Sequence, residues 1–464
     1  MPEFTIVSKL CQDLGSTGRA NRGCNMKGQI AEMAPAVRPI VTLIALAACW
    51  PFALHAADFS LSGFGTLGFA KSDKPYRYQR FVDEDGTFRR DSVAGVQVDA
   101  KLTSSVGATV QLLASPATDN DRQYDATVAW AFVSWRPNND WLIRAGRQRI
   151  PLYLHSQNHD VGVTYAFLRL PTEMYSISPG NEFNGISVSS SWSFPRGDLT
   201  VDGWLGTTNV SGRFWFRDGV PQIQNPGPSF RAISLTGKGL VFTFRAEQDT
   251  YRLGLLGSTG RQRNGTPLPT TYPYVSLLPG AGYFQVDNSL PGPGIVGINS
   301  IKNSVATFGA DLALGNGYQV TGEYARTFVN NPIVKIANGS DRGYLSILRR
   351  MGKWTPYVTY AFLRSDSDQR ELYSRVNENT VPSAIPGAAV LNSSQRAGAD
   401  AILTYDQHSW AIGTSYALSP TSKVKAEWMR VRIGQMSSLV DAPPGSNIRN
   451  QSINVFSLSY SVVF

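Results

Sequence analysis

The sequence predicts an all-β fold, a transmembrane antiparallel barrel of about sixteen strands. Three observations predict it. Apolar and polar residues alternate with period two through many short segments, the pattern of a strand with one buried face. Past position 60 no stretch of about 20 apolar residues occurs, so the body of the chain holds no helical membrane span. The connections between segments alternate between short and long, as in barrels with tight turns at one end and loops at the other.

Composition agrees. The 464 residues could form two or three soluble domains or one large barrel. A hydrophobic share of 42% excludes disorder by composition, and 43 glycines with 27 prolines supply the turns of many hairpins. All three cysteines, Cys11, Cys24 and Cys49, precede the expected cleavage site, so the mature chain would have none. That suits passage through an oxidising compartment and excludes cysteine-based zinc sites and thiol nucleophiles. The net charge of +9 is scattered, with no Lys/Arg block, which argues for a basic lumen and against nucleic acid.

The N-terminus reads as an address. Arg38 precedes the apolar run 40–48, and Leu54-His55-Ala56-Ala57 forms a small-residue exit, the layout of a secretory signal peptide. Cleavage after Ala56 or Ala57 divides the chain into 1–57, an N-terminal extension plus signal peptide that is removed, and 58–464, the barrel. Residues 1–32 are polar, so translation is expected to start at Met26 or Met33, with a genuine extension as the alternative. Leu46-Ala47-Ala48-Cys49 also fits a lipoprotein box, but the apolar run continues from Trp50 to Leu54, where a lipoprotein would turn polar.

The first strand, 59–69, places Phe59, Leu61, Leu67 and Phe69 on one face and Ser60, Ser62 and Thr66 on the other, with Phe64 the exception. Similar alternation marks 93–102, 106–114, 125–135, 141–146, 185–192, 199–207, 240–246, 251–257, 304–314, 318–326, 344–349, 354–363, 409–417 and 423–430. The last strand sets Phe456, Leu458, Tyr460, Val462 and Phe464 against Ser457, Ser459 and Ser461. Several segments fall short of the ~9–11 residues a membrane strand needs, so their ends are expected further out. Short links at 103–105, 137–140, 194–198, 248–250, 315–317, 351–353 and 418–422 all fall at periplasmic turns when the N-terminus is periplasmic. Long links fall at 71–92, 147–184, 258–303, 364–408 and 433–451. Trp141, Trp354, Trp410 and Trp428 lie near strand ends, as an interfacial girdle requires, although ordinary strand propensity would also place them there.

Three stretches carry a family resemblance: Leu61-Ser62-Gly63-Phe64-Gly65-Thr66-Leu67-Gly68, the closing alternation through Tyr460 and Val462 to Phe464, and 142–160, a strand running into a long loop. Over 59–464 the chain resembles the Gram-negative outer-membrane porins, in the wide sense that includes the general trimeric porins. The resemblance implies a passive outer-membrane diffusion channel for small hydrophilic solutes and ions, without a cofactor. It implies a homotrimer among outer-membrane lipids and lipopolysaccharide, with the C-terminal strand, Tyr460 and Phe464, read by the barrel-assembly machinery. It also implies that the third loop, 147–184, folds inward and narrows the pore. That loop lacks the dense acidic cluster of many general porins, so the charge arrangement at the constriction does not carry over.

Candidate pore residues follow from strand parity. Arg144 lies opposite in parity to Ile143 and Ala145 and is expected to point inward. Gln97, Asp99, Lys101, Arg245, Arg252, Glu323, Lys423, Lys425 and Glu427 are expected on the lumen wall by the same argument. The expected constriction sets Arg144, Arg147 and Arg149 on one wall against Asp160, Glu173 and Glu182 on the loop, each with a loop salt bridge or a solvated rim as the alternative. The arginine excess suggests mild anion preference. His155 and His159, with Asp160 adjacent, have a spacing that suits a metal only in a helix; no third ligand is indicated, so no metal is expected. A hydrolase would need a Ser-His or Asp-His constellation, and no Gly-x-Ser-x-Gly motif accompanies His155, His159 or His408. A non-conducting receptor or adhesin barrel cannot be told from a channel by sequence; the long third loop favours the channel.

Overall fold

The computed structural model describes residues 58–176, 181–331, 333–336 and 339–464; the expected extension, signal peptide and cleavage site lie outside the described residues. Sixteen antiparallel strands close into one barrel. They are β1 (Asp58–Ser72), β2 (Val93–Lys101), β3 (Val106–Pro116), β4 (Tyr124–Trp135), β5 (Trp141–Arg149), β6 (Glu182–Phe194), β7 (Gly197–Phe216) and β8 (Gly227–Ala246). The second half comprises β9 (Asp249–Gln262), β10 (Ile301–Gly315), β11 (Tyr318–Val329), β12 (Ser340–Arg349), β13 (Trp354–Ser365), β14 (Tyr405–Ser419), β15 (Ser422–Ser437) and β16 (Ser452–Val463). Each strand pairs with its chain neighbours, and β1 closes the ring on β16 with Leu67 opposite Tyr460. Closure leaves no free edge, which a sheet in lipid requires.

The period-two pattern becomes a two-sided wall. On β16 Phe456, Leu458 and Tyr460 are exposed outward, while Ser457, Ser459 and Ser461 are buried inside. Leu205, Leu253, Phe308, Leu345, Ile347 and Ile412 continue the outer apolar belt around the barrel. In water that belt would be unstable; facing acyl chains it is the favoured surface. Trp135, Trp141, Trp192, Trp354 and Trp410 are exposed.

Turns at one end are tight, and Asn316-Gly317 closes β10 onto β11 with positive φ at both residues, as a two-residue hairpin favours. The strands extend past their expected ends. β7 and β8 pair from Phe216↔Gly227 down to Asp198↔Arg245, so much of 208–239 is ladder. Its outward Thr207, Asn209 and Ser211 break the apolar alternation, which is why the sequence pattern stops short.

Phe64, the exception to outward alternation, is buried inside the wall. Its ring occupies the space a side chain at Gly95 would fill, 2.3 Å from the ideal Cβ position. At the other end of the chain, Gly63 and Phe464 exchange backbone hydrogen bonds of 2.9 and 3.0 Å. Gly146 has φ +131°, and a Cβ there would stand 2.3 Å from the Ala131 carbonyl oxygen. Gly146→Ala is therefore expected to cost about 1–3 kcal/mol, read as an earlier thermal loss of the compact, heat-modifiable gel band.

The long connections gather at the opposite, external end. The link 150–181 carries the short helix α1 (Thr172–Tyr175), and 366–404 carries α2 (Ser367–Glu378) and α3 (Ala388–Asp400). α3 packs over the β7–β8 hairpin tip through Ala397, Phe214, Phe216 and Val220. Arg217 bonds Asp400 at 2.8 Å and Asn377 at 2.6 Å, and Arg396 bonds Asp218 at 3.0 Å. The segment leaves the wall between β13 and β14 and fastens to β7–β8, well around the ring, so it roofs part of the external mouth.

Candidate functional site

The link between β5 and β6 folds into the barrel and lies along the inner wall from β9 to β16. Arg252 donates to the Tyr153 carbonyl, and Glu323 accepts from the Leu154 amide at 2.8 Å and from the Tyr175 hydroxyl. Arg342 donates to Tyr153 Oη at 2.8 Å, and Tyr357 Oη accepts from the Leu168 amide at 2.8 Å while donating to Glu427. Lys425 Nζ donates to the carbonyls of Gly162 at 2.6 Å and Phe167 at 2.7 Å. Arg169 clasps Asp91 at 2.7 Å and reaches Ser457. Between these polar ties, Leu152, Tyr153, Phe167, Leu170, Met174 and Tyr175 pack with Ala325, Tyr344, Leu348 and Tyr357 of the wall. Burial of this apolar surface, together with these polar ties, holds the loop against the wall.

This docking revises several expectations. Glu323 and Lys425 point inward as parity predicts, but they hold the loop, with Lys425 only 1% exposed, so they do not line open lumen. Glu173 does not face the pore; it is buried against β14 and accepts from Gln407 at 2.8 Å. The expected opposition of arginines and acids across a gap is replaced by direct pairing. Arg149 bonds Asp160 at 2.6 Å and Glu182 at 3.2 Å, and Arg147 stands 4.0 Å from Glu182. Arg147 also donates to the Val128 carbonyl on β4. Lys101 lies at the periplasmic end of β2, opposite Asp58, and Lys423 two residues below Lys425.

The loop leaves a cavity of about 260 Å³ against β5–β9. Arg144, Arg149, Arg245 and Arg252 line it with one acid, Asp202, among Gln148, Ser187, Ser189 and Thr200. Arg149 is paired with Asp160 and Glu182, so Arg144, Arg245 and Arg252 are the lining cations without an ion-pair partner among the described residues, and they face the single carboxylate of Asp202.

Sequence reasoning missed two participants. Asp202 shares inward parity with Thr200 on β7 and was legible by the rule that found Arg144. Arg342 precedes the expected start of its strand, because Gly343 and Asp341 interrupt the outward apolar pattern. Lys425→Met is expected to leave the Gly162 and Phe167 carbonyls without their donor. If the barrel conducts, single-channel records of the variant should show more flicker than those of the parent.

No protein-family model matches the chain, and no curated protein is found related to it. Solved structures similar to it include the anion-selective porin from Comamonas acidovorans, 11% identical, with a TM-score of 0.49 over 88% of this chain and 100% of that one. The outer membrane channel DcaP of Acinetobacter baumannii is 10% identical, with a TM-score of 0.48 over 88% and 98%. OprB of Pseudomonas putida is 10% identical, with a TM-score of 0.48 over 88% and 94%. The placement in the membrane comes from the chain itself. A closed barrel with an outer apolar belt and tight turns at one end is a multi-pass wall of a Gram-negative outer membrane.

Proposed function

We propose that the protein is a passive diffusion channel for small hydrophilic solutes, with a preference for anions, and that it is not an enzyme. The cavity walled by Arg144, Arg149, Arg245 and Arg252 against Asp202 carries this reading. The His159 ring bonds Asp160 at 2.9 Å, but the same carboxylate is held by Arg149, and no hydroxyl bonds that ring among the described residues; the Tyr165 hydroxyl donates to the His159 backbone carbonyl instead. The proposal extends to a homotrimer, to removal of 1–57 on export, and to recognition of the Phe464 strand by the assembly machinery. The roof formed by 366–404 favours a second reading, a surface receptor that does not conduct.

Single-channel current in a planar bilayer under a salt gradient decides between them. Discrete open steps with a reversal potential shifted toward the anion are expected. A folded barrel that never conducts would leave the receptor reading standing.

A further inference from the structure

We propose that the hairpin of β7 and β8 is a strap that closes the external mouth over the arginine-lined cavity, and that Arg213 is the latch that holds it shut. The inference rests on the fold and not on conduction.

The hairpin outgrows the wall that carries it. β6 stops pairing with β7 at Asn184↔Thr207, and β9 stops pairing with β8 at Gln262↔Ile233. Above those points 208–231 is a two-stranded arm without a third strand in its ladder. At ~3.4 Å per residue, its 208–216 side reaches about 30 Å. An isolated two-stranded hairpin is marginally stable in water, so docking at the far end decides where the arm lies. At its root Gly206 pairs with Gly237, which leaves both strands without a side chain where the arm departs from the wall.

The docking points lie across the ring. Arg213 donates to both oxygens of Asp441, at 2.8 and 2.6 Å, and to Asp121 at 2.6 Å. Trp215 Nε1 donates to the Ala442 carbonyl at 2.7 Å, and the Gly445 amide donates to Asp218 at 2.7 Å. Asp441, Ala442 and Gly445 belong to the link between β15 and β16, which stand opposite β7 and β8 in the closed ring. The arm therefore crosses the mouth. On its far side the mouth is filled with apolar core, where Val431, Ile433 and Val455 of the wall pack with Tyr78, Val376 and Val440 of the links. The polar cavity is on the near side, with Thr200 and Asp202 on β7 below the arm. Asp441 is 1% exposed and has no other ion-pair partner among the described residues, whereas Asp121 also bonds Arg80 at 2.8 Å. One planar guanidinium fork serves both carboxylates, a joint that the single ammonium of lysine cannot copy.

The test is the distance between spin labels on Ile223→Cys, at the exposed tip of the arm, and Asn447→Cys, in the link it docks on. The full chain is used in a lipid bilayer, with Cys11, Cys24 and Cys49 changed to serine. The parent should give one short distance. Arg213→Ala should add a longer one, with a released population at least about tenfold the parent's. Asp441→Asn, which cuts the same pair from the other side, should release the arm too, and Arg213→Lys should fall between. Arg261→Ala, an exposed β9 arginine without an ion-pair partner among the described residues, should match the parent. In planar bilayers the open-state current should rise with the released population. Retention of the short distance by both Arg213→Ala and Asp441→Asn in folded barrels overturns the proposal, and so does release of the arm without a gain of current in a conducting barrel. The distances report on the latch whether or not the barrel conducts, so its failure and that of the channel reading are told apart.

Discussion

Replacing Arg144 and Arg245 by glutamate is expected to reverse the ion preference that the proposed channel function assigns to this barrel. In the parent, Arg144, Arg245 and Arg252 face Asp202 across a cavity of about 260 Å³, while Arg149 is paired with Asp160 and Glu182. In the double variant Arg252 alone faces Asp202 and the two introduced carboxylates, so the sign of the local field changes. At separations below the ~8 Å Debye length of physiological salt, the permeating ion feels these charges with little screening. A difference of about 1.4 kcal/mol between anion and cation is tenfold in permeability ratio, and a shift of at least that size is expected. Arg252 and Arg149 are left alone because they also hold the inward loop. The reversal potential under a salt gradient reads the outcome. An unchanged anion preference in a conducting double variant would remove the cavity from the permeation path.

Arg217→Ala is expected to detach the roof. Asp400 is buried, and Arg217 supplies bonds to it from both the backbone amide, at 2.9 Å, and the guanidinium, at 2.8 Å. Breaking a buried pair by removing one partner typically costs about 3–5 kcal/mol, because the remaining charge is left in a poor solvent. The segment 366–404 should become sensitive to trypsin in whole cells, and the open-state current should rise if the roof obstructs the mouth. Acid is expected to oppose the mutation. Burial pushes the Asp400 carboxyl up to about 6, although Arg217 draws it back. A raised carboxyl favours the docked state when protonated. Its contribution is therefore complete below the ordinary value near 4 and is lost as pH rises through about 6. The Arg217→Ala roof should then resist trypsin better at pH 5 than at pH 7.5, and Asp400→Asn should flatten that difference. Equal cleavage at both pH values would show that Asp400 does not govern docking.

Alternation by itself determined the wall of this protein. Because successive side chains of a strand point to opposite faces, Phe456, Leu458 and Tyr460 could face lipid only if Ser457, Ser459 and Ser461 faced inward, and they do. The same rule placed Arg144, Arg245 and Arg252 inside and fixed which links are tight turns. Parity gives a direction but not a neighbour, and the tertiary structure decided the rest. Lys425 and Glu323 were inward by sequence, yet whether they met water or protein depended on a loop folding across them from 263 and 169 positions earlier in the chain. Glu173 turned to the wall because Gln407 offered it a donor in a buried place, a pairing across 234 positions that no local pattern records. The roof is the clearest case: Arg217 and Asp400 lie 183 residues apart, on polar connections that carry no periodicity. Strand patterns are repeated and local, so they survive in sequence. Docking of loops depends on single long-range contacts between irregular segments, and those exist only once the barrel has closed.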